Sequence, residues 1–161
     1  MKVFGQITLM LVLGLSQSCA YKSDSGRWIR EAQAANSHAD QSIARGNIVA
    51  ARTALQEILA RPAPASIPEQ DVIIVKQDIF FRLAMLELQT GKPKAALDWS
   101  EQGLSLSQKH DLFTANLLVA RGNALEVLGN ETNAVGDYHK ALKINEKLLN
   151  QALDNGRENS E

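Results

Sequence analysis

Apolar residues recur every three or four positions along most of this chain, and glycine and proline interrupt that period at only a few places. An apolar stripe with this spacing is typical of α-helices that bury one face against a core. We therefore expect an all-α protein. The predicted helices lie at about residues 27–45, 48–60, 69–90, 93–108, 112–128 and 131–153.

Several of the predicted helix boundaries have a local chemical cause. Gly46, Gly91 and Gly129 each follow a helical run, and glycine ends helices readily because it adopts left-handed backbone geometry without strain. Asp111 and Asn130 directly precede helical runs, where their side chains suit the N-cap position. These five residues therefore mark three predicted helix ends and two predicted helix starts.

The segment 61–68 contains three prolines in seven residues and is therefore expected to be an extended, stiff loop. At its end, Ser66 and Glu69 have the spacing of a capping box, with Pro68 between them. Pro93 fits the first turn of a helix, where its missing N–H does no harm. Proline thus marks the loop and two helix starts.

Residues 71–76 carry two opposing signals. Four consecutive β-branched residues favour a strand intrinsically. The apolar character nevertheless continues to Leu88 without a turn signal, and that length favours a helix buried nearly all round. We predict a helix for this segment.

Small and bulky apolar residues repeat at similar distances from the three helix-ending glycines. The third helix pair has Gly122, Leu125, Leu128, Gly129, Ala134, Tyr138, Ala141 and Leu142 at these positions. The second has Phe80, Leu83, Ala84, Gly91, Ala96, Gly103 and Leu104, and the first has Ala39, Gly46, Ala51 and Leu55. Small residues at such spacings let two helices cross closely while bulkier neighbours fill the grooves.

These spacings resemble the tetratricopeptide repeat (TPR) over about residues 35–150. The resemblance implies three antiparallel helical hairpins, at about 27–60, 69–108 and 112–153, stacked as a short right-handed solenoid that a long last helix caps. The glycines lie 45 residues (46 to 91) and 38 residues (91 to 129) apart, against about 34 in the standard unit. Arg121 replaces a usual leucine, and no proline closes the third repeat. A non-repetitive helical bundle is the alternative.

The first residues follow a different pattern from the rest of the chain. Met1 and Lys2 supply a positive start, and residues 3–15 form an uncharged apolar stretch that is shorter than the roughly 20 residues of a spanning helix. This arrangement predicts a secretory signal peptide over residues 1–18. A buried N-terminal helix is the alternative. At the other end, residues 154–161 are predicted to form a disordered tail.

Cys19 is the only cysteine and lies just after the apolar stretch. Residues 15–19 resemble a bacterial lipobox, although Leu15 lies four residues before the cysteine where the family has three. The resemblance implies that Cys19 carries palmitate or a similar lipid on a tether of residues 19–26. Because Ala20 follows it, the implied location is the outer membrane, facing the periplasm. Cleavage after Ala20, which would leave a soluble periplasmic protein, stays open.

Composition and motifs give no indication of catalysis. The 17 basic and 18 acidic residues nearly balance, so nothing favours nucleic acid as a partner. His38, His110 and His139 are scattered, and no second histidine or cysteine stands at metal-ligand spacing. There is no glycine-rich phosphate loop and no nucleophile elbow. We therefore expect no enzyme activity, no cofactor, no metal and no small-molecule substrate.

In TPR proteins the first helix of each hairpin lines a concave groove that accepts a peptide or a partner's helix. By position, the first hairpin would contribute Asn36, Asp40 and Ile43. The other two would contribute Asp78, Phe81, Met85, Leu88, Asn116, Val119, Asn123 and Glu126. Phe81 and Met85 stand out, because aromatic and methionine side chains are common anchors at binding surfaces. Core packing is the alternative for both. The lysines of a carboxylate clamp are missing.

The resemblances together imply a non-enzymatic adaptor or scaffold of the bacterial cell envelope. Such a lipoprotein would bind protein partners and assist assembly of an envelope complex such as a pilus or a secretion system. The alternative is a permanent structural subunit of a larger envelope complex. A large exposed apolar patch would favour that alternative, and a mostly polar groove would favour the adaptor.

Overall fold

The computed structural model describes the backbone of residues 11–107 and 109–158, and the side chains of residues 26–107 and 109–156. Six α-helices and no β-strand occur in these ranges, which confirms the predicted all-α class. The helices are α1 (Leu11–Ala44), α2 (Ile48–Ala60), α3 (Glu69–Gln89), α4 (Pro93–Ser105), α5 (Leu112–Val127) and α6 (Glu131–Glu158).

The three helix-ending glycines adopt the left-handed geometry that the sequence predicts. Their φ angles are 72° at Gly46, 70° at Gly91 and 79° at Gly129. The backbone N–H of the residue after each glycine donates a hydrogen bond to a carbonyl five residues earlier in the chain. The N–H of Asn47 donates to the carbonyl of Ser42 at 2.8 Å, and the corresponding bonds after the other two glycines have the same length. This pattern satisfies carbonyls that the helix end would otherwise leave unpaired.

Two helix starts have the local cause that the sequence predicts. The side chain of Asp111 accepts a hydrogen bond from the N–H of Thr114 at 2.9 Å, and Pro93 is the first residue of α4. α3 begins at Glu69, with Pro68 at its N-cap position. The carbonyl of Pro68 accepts hydrogen bonds from the backbone N–H groups of Asp71 and Val72.

The outermost helices are longer than predicted. α1 begins at Leu11 and passes through the expected tether, and α6 continues to Glu158, into the expected tail. No proline lies in either extension, so nothing there interrupts the hydrogen-bond ladder. Residues 71–76 lie within α3 as predicted, and residues 61–68 form a loop. Residues 1–10 of the predicted signal peptide lie outside the described residues.

Each helix packs against the next one along the chain, and α3 also packs directly on α5. One buried cluster joins α1, α2 and α3 through residues such as Leu55, Ile79 and Leu83. A second, made largely of alanines, joins α3, α4 and α5, and a third joins α5 to α6. The three clusters thus follow one another from α1 to α6, and each has a helix in common with the next.

Small residues occupy the closest helix approaches. Ala39, Ala84 and Gly122, each seven residues before a helix-ending glycine, are buried. Ala51, Ala96 and Ala134, each five residues after one, are at most 1% exposed. A Cβ on Gly103 would lie 2.7 Å from Leu117 Cδ2, and a Cβ on Gly122 would overlap the Tyr138 ring. Two residues grouped with these positions by sequence, Leu128 and Leu142, are instead exposed, because no described helix covers that side.

Within the described part of the chain, no helix combines the length and the apolar character that a membrane span requires.

Candidate partner-binding face

Eight of the eleven residues predicted to line a groove lie on two helices that pack directly on each other. Asp78, Phe81, Met85 and Leu88 belong to α3, and Asn116, Val119, Asn123 and Glu126 belong to α5. We call this set the α3–α5 face. Val119 and Glu126 are exposed and the other six are half-buried. The whole set is therefore in contact with both protein and solvent.

The apolar part of the α3–α5 face rests on very small side chains. Phe81, Met85 and Leu88 pack against a cluster that includes Ala120 and Ala124, both fully buried on α5. Alanine methyl groups cover only the inner side of these longer side chains, so their outer parts remain accessible. Packing and accessibility thus coexist at Phe81 and Met85. Sequence spacing alone left these as alternatives.

The α5 part of the face is polar and is connected to α6. The hydroxyl oxygen of Tyr138 lies 2.7 Å from Glu126 Oε2 and 2.8 Å from Asn123 Oδ1, so its single proton is donated to one of these two acceptors. Burial, together with the hydrogen bond and negative charge of Glu126, raises the pKa of Tyr138 to about 12. The phenol therefore stays neutral at ordinary pH and lies between these two side chains, holding one of them at a time.

A hydrogen-bonded network connects α1 to the α3–α5 face. Asn36 Nδ2 donates to Asp78 Oδ2 at 2.9 Å, and Arg82 Nε donates to the same oxygen at 3.0 Å. Arg82 Nη1 also donates to Asp40 Oδ1 at 3.0 Å. Sequence spacing placed Asn36 and Asp40 in the predicted groove but missed Arg82. Its spacing of four residues from Asp78, which brings opposite charges together on a helix, was the available signal. Ile43 packs against the first core cluster.

Two buried carboxylates outside the face are each held by an arginine from another helix. Glu87 on α3 receives two hydrogen bonds from Arg52 on α2, and Asp137 on α6 receives two from Arg121 on α5, both at 2.7 Å. The hydrogen bonds from Arg121 to Asp137 raise the pKa of the guanidinium above its ordinary value. Arg121, a departure from the TPR pattern, thus links α5 to α6. Both pairs serve packing, since their carboxylates are almost inaccessible.

Nothing in the described ranges gathers metal-binding groups. His38, His110 and His139 are all exposed, and no set of three or more histidine, cysteine or acidic side chains converges in that part of the chain. Cys19 lies on the backbone of α1, but its side chain is outside the described residues. Its lipidation therefore stays a prediction.

Neither a protein-family model nor a curated protein matches this chain. The functional proposal therefore rests on the sequence spacings and on the geometry of the α3–α5 face.

Proposed function

We propose that this protein is a non-enzymatic, TPR-like adaptor or scaffold that binds a partner protein on the α3–α5 face. The observation that carries the proposal is the half-buried state of Phe81 and Met85. Anchor residues at interfaces are large side chains whose pockets are completed by the partner. Beside them, Asn116, Asn123 and Glu126 offer hydrogen-bonding groups to a bound backbone. A mixed apolar and polar face of this kind suits a partner that binds and leaves.

The proposal includes the arrangement of the helices. The helix pairs α1–α2, α3–α4 and α5–α6 form three antiparallel hairpins, stacked as a short right-handed solenoid with the long α6 as its cap. Buried small residues at matching distances from the three left-handed glycines support this repeat. Direct packing of α3 on α5 also supports it, because stacked hairpins bring their first helices together.

The proposed location is the bacterial cell envelope, with Cys19 as the lipid anchor of an outer-membrane protein facing the periplasm. Comparing the wild type with Cys19→Ser for palmitate labelling and membrane partitioning tests the anchor. We expect both labelling and membrane association to be lost in the variant. Equal labelling and distribution would instead support cleavage after Ala20 and a soluble periplasmic protein.

A second candidate function is a permanent structural subunit of an envelope complex. The outer side of α6 favours it, because Val135, Leu142 and Leu149 recur every seven residues and are 64%, 55% and 60% exposed. Apolar side chains lined up along one helix mark a contact surface more often than scattered ones do. In this alternative, α6 is covered throughout the life of the protein.

Substitution of the two anchors tests the adaptor proposal. Phe81→Ala and Met85→Ala should each weaken partner binding by about 2 kcal/mol or more if they are hot spots. The measurement is recovery of co-purifying partners beside thermal stability, with Val49→Ala on the exposed side of α2 as the matched control. Lost partners with retained stability support the adaptor. If a loss of stability explains the lost partners, both residues serve core packing instead. Partner loss after Leu142→Ala alone supports the structural subunit.

A further inference from the structure

A cleft of about 810 Å³ opens on another side of the molecule, between α4, α5 and α6. Leu104, Leu118 and Ile144 lie along it and belong to, or pack on, the core cluster that joins α5 to α6. Its volume is within the range of ligand-binding pockets, about 300–1,000 Å³. The cleft shares no residue with the α3–α5 face.

One wall of the cleft carries a row of lysines. Lys140, Lys143 and Lys147 all line it from α6, are all exposed, and follow each other at helical spacing along one face. None of them makes an ion pair in the part of the chain that the structure describes. Arg121, which also lines the cleft, already binds Asp137. Among the described residues that line the cleft, Glu101 is the only acidic one.

This local positive charge stands out in two comparisons. The whole chain has a formal net charge of −1, so basic side chains are concentrated here rather than spread evenly. A smaller cleft of about 400 Å³ between α2, α3 and α4 has a similar setting, with Phe80 and Trp99 in its lining, but Lys76 is the only charged residue among its described lining residues. The lysine row is therefore a property of the larger cleft that the smaller one lacks.

The spacing of the charges limits the class of ligand. From Lys140 to Lys147 the helix rises about 10 Å, at 1.5 Å per residue. A single anionic headgroup meets such a row at one point, whereas a peptide with several acidic residues meets all three lysines along its length. The apolar lining beside the row supplies contacts for apolar side chains of the same peptide. We infer that this cleft binds an acidic segment of a partner protein that also carries apolar side chains.

The test uses the full chain and a fluorescent synthetic peptide with glutamates at positions i, i+3 and i+7 and leucines on the adjacent side. One control peptide has glutamine for every glutamate, and another has serine for every leucine. The key variant is Lys140→Glu with Lys147→Glu. Its matched control is Lys92→Glu with Lys94→Glu, which changes the charge equally at exposed lysines outside the cleft. Thermal stability checks that both variants fold.

We expect the key variant to weaken binding of the acidic peptide by about tenfold or more, because it reverses charges that face the ligand. The control variant should change binding by less than about twofold, as long-range charge effects are screened by salt. Both control peptides should bind more weakly than the acidic one. Equal weakening in the two variants, or no binding of the peptide, would overturn the inference. The inference would also be overturned if the protein did not bind the peptide but bound either vesicles of anionic phospholipid or free laurate in a lysine-dependent way.

Discussion

On the side of the molecule formed by α1, α3 and α5, two contacts between neighbouring helices use opposite chemistry. α3 meets α5 through Phe81 and Met85, which lie against fully buried alanines. Beside the buried cluster that α1, α2 and α3 share, α1 contacts α3 through the polar network of Asn36, Asp40, Asp78 and Arg82. Asn36 and Asp40 stand ten and six residues before Gly46, and Phe81 and Met85 stand at the same distances before Gly91. The same register positions therefore carry polar groups in one contact and apolar groups in the other.

The two contacts should therefore respond differently to salt and to added side-chain volume. Apolar contacts are not screened by salt as ion pairs are, and close packing against alanine leaves little room for added volume. Exposed ion pairs contribute little, and salt screens them. Asp40 is 61% exposed at its side chain, and Arg82 is 33% exposed. We therefore expect the α3–α5 contact to carry most of the stability and the α1–α3 contact to orient α1.

The largest expected effect comes from adding volume at the α3–α5 contact. Ala120→Leu should lower the free energy of unfolding by about 1–3 kcal/mol, because this fully buried alanine has no space for a longer side chain. Urea denaturation measures the change. Ala34→Leu on the exposed side of α1 is the matched control and should change stability by less than about 0.5 kcal/mol. Similar losses in both variants would contradict the assignment of the tight contact to α3 and α5.

A smaller effect is expected from breaking the polar contact. Asp78→Ala removes the acceptor shared by Asn36 and Arg82 and should cost about 1 kcal/mol, since all three side chains are only partly buried. Asp98→Ala, on the exposed part of α4, is the control. The difference between the variants should shrink in high salt. A salt-independent loss as large as that of Ala120→Leu would place Asp78 in the core instead.

The smallest effect concerns Tyr138, which hydrogen-bonds to the polar end of the α3–α5 face. Its pKa is raised from about 10 in the unfolded chain to about 12 in the folded protein. The folded state thus holds the phenol proton more tightly, so this contribution to stability is complete below about pH 10 and is lost as pH rises towards 12. Tyr138→Phe should flatten the fall in thermal midpoint over that range. An unchanged slope would contradict the raised pKa.

Much of the helix pattern could be predicted because its causes are local. The left-handed turns at Gly46, Gly91 and Gly129 depend only on the residue's lack of a side chain, and Asp111 caps α5 through a neighbour three residues away. Pro93 starts α4 for a local reason as well, since the first turn of a helix needs no N–H from that residue. Local chemistry therefore explains these agreements.

The candidate site could be predicted less completely because exposure depends on distant neighbours. Sequence spacing placed Phe81 and Met85 on one face, but only the alanines of α5 determine that both are half-buried. Arg121 was recognised as unusual, whereas its partner Asp137 lies on another helix and could not be inferred. α1 extends from Leu11 rather than from about residue 27, because helical periodicity was followed only after the stretch that predicts a signal peptide.

The central claim is that a partner protein contacts the α3–α5 face, and site-specific photo-crosslinking in the native cell tests it most directly. A photoreactive residue at Val119, which lies on the face and is 37% exposed, is compared with one at Val49 on α2, which is 69% exposed. Our account predicts a discrete crosslinked product from Val119 and none from Val49, despite the greater exposure of Val49. Crosslinks of equal yield at both positions, or at Val49 alone, would contradict it.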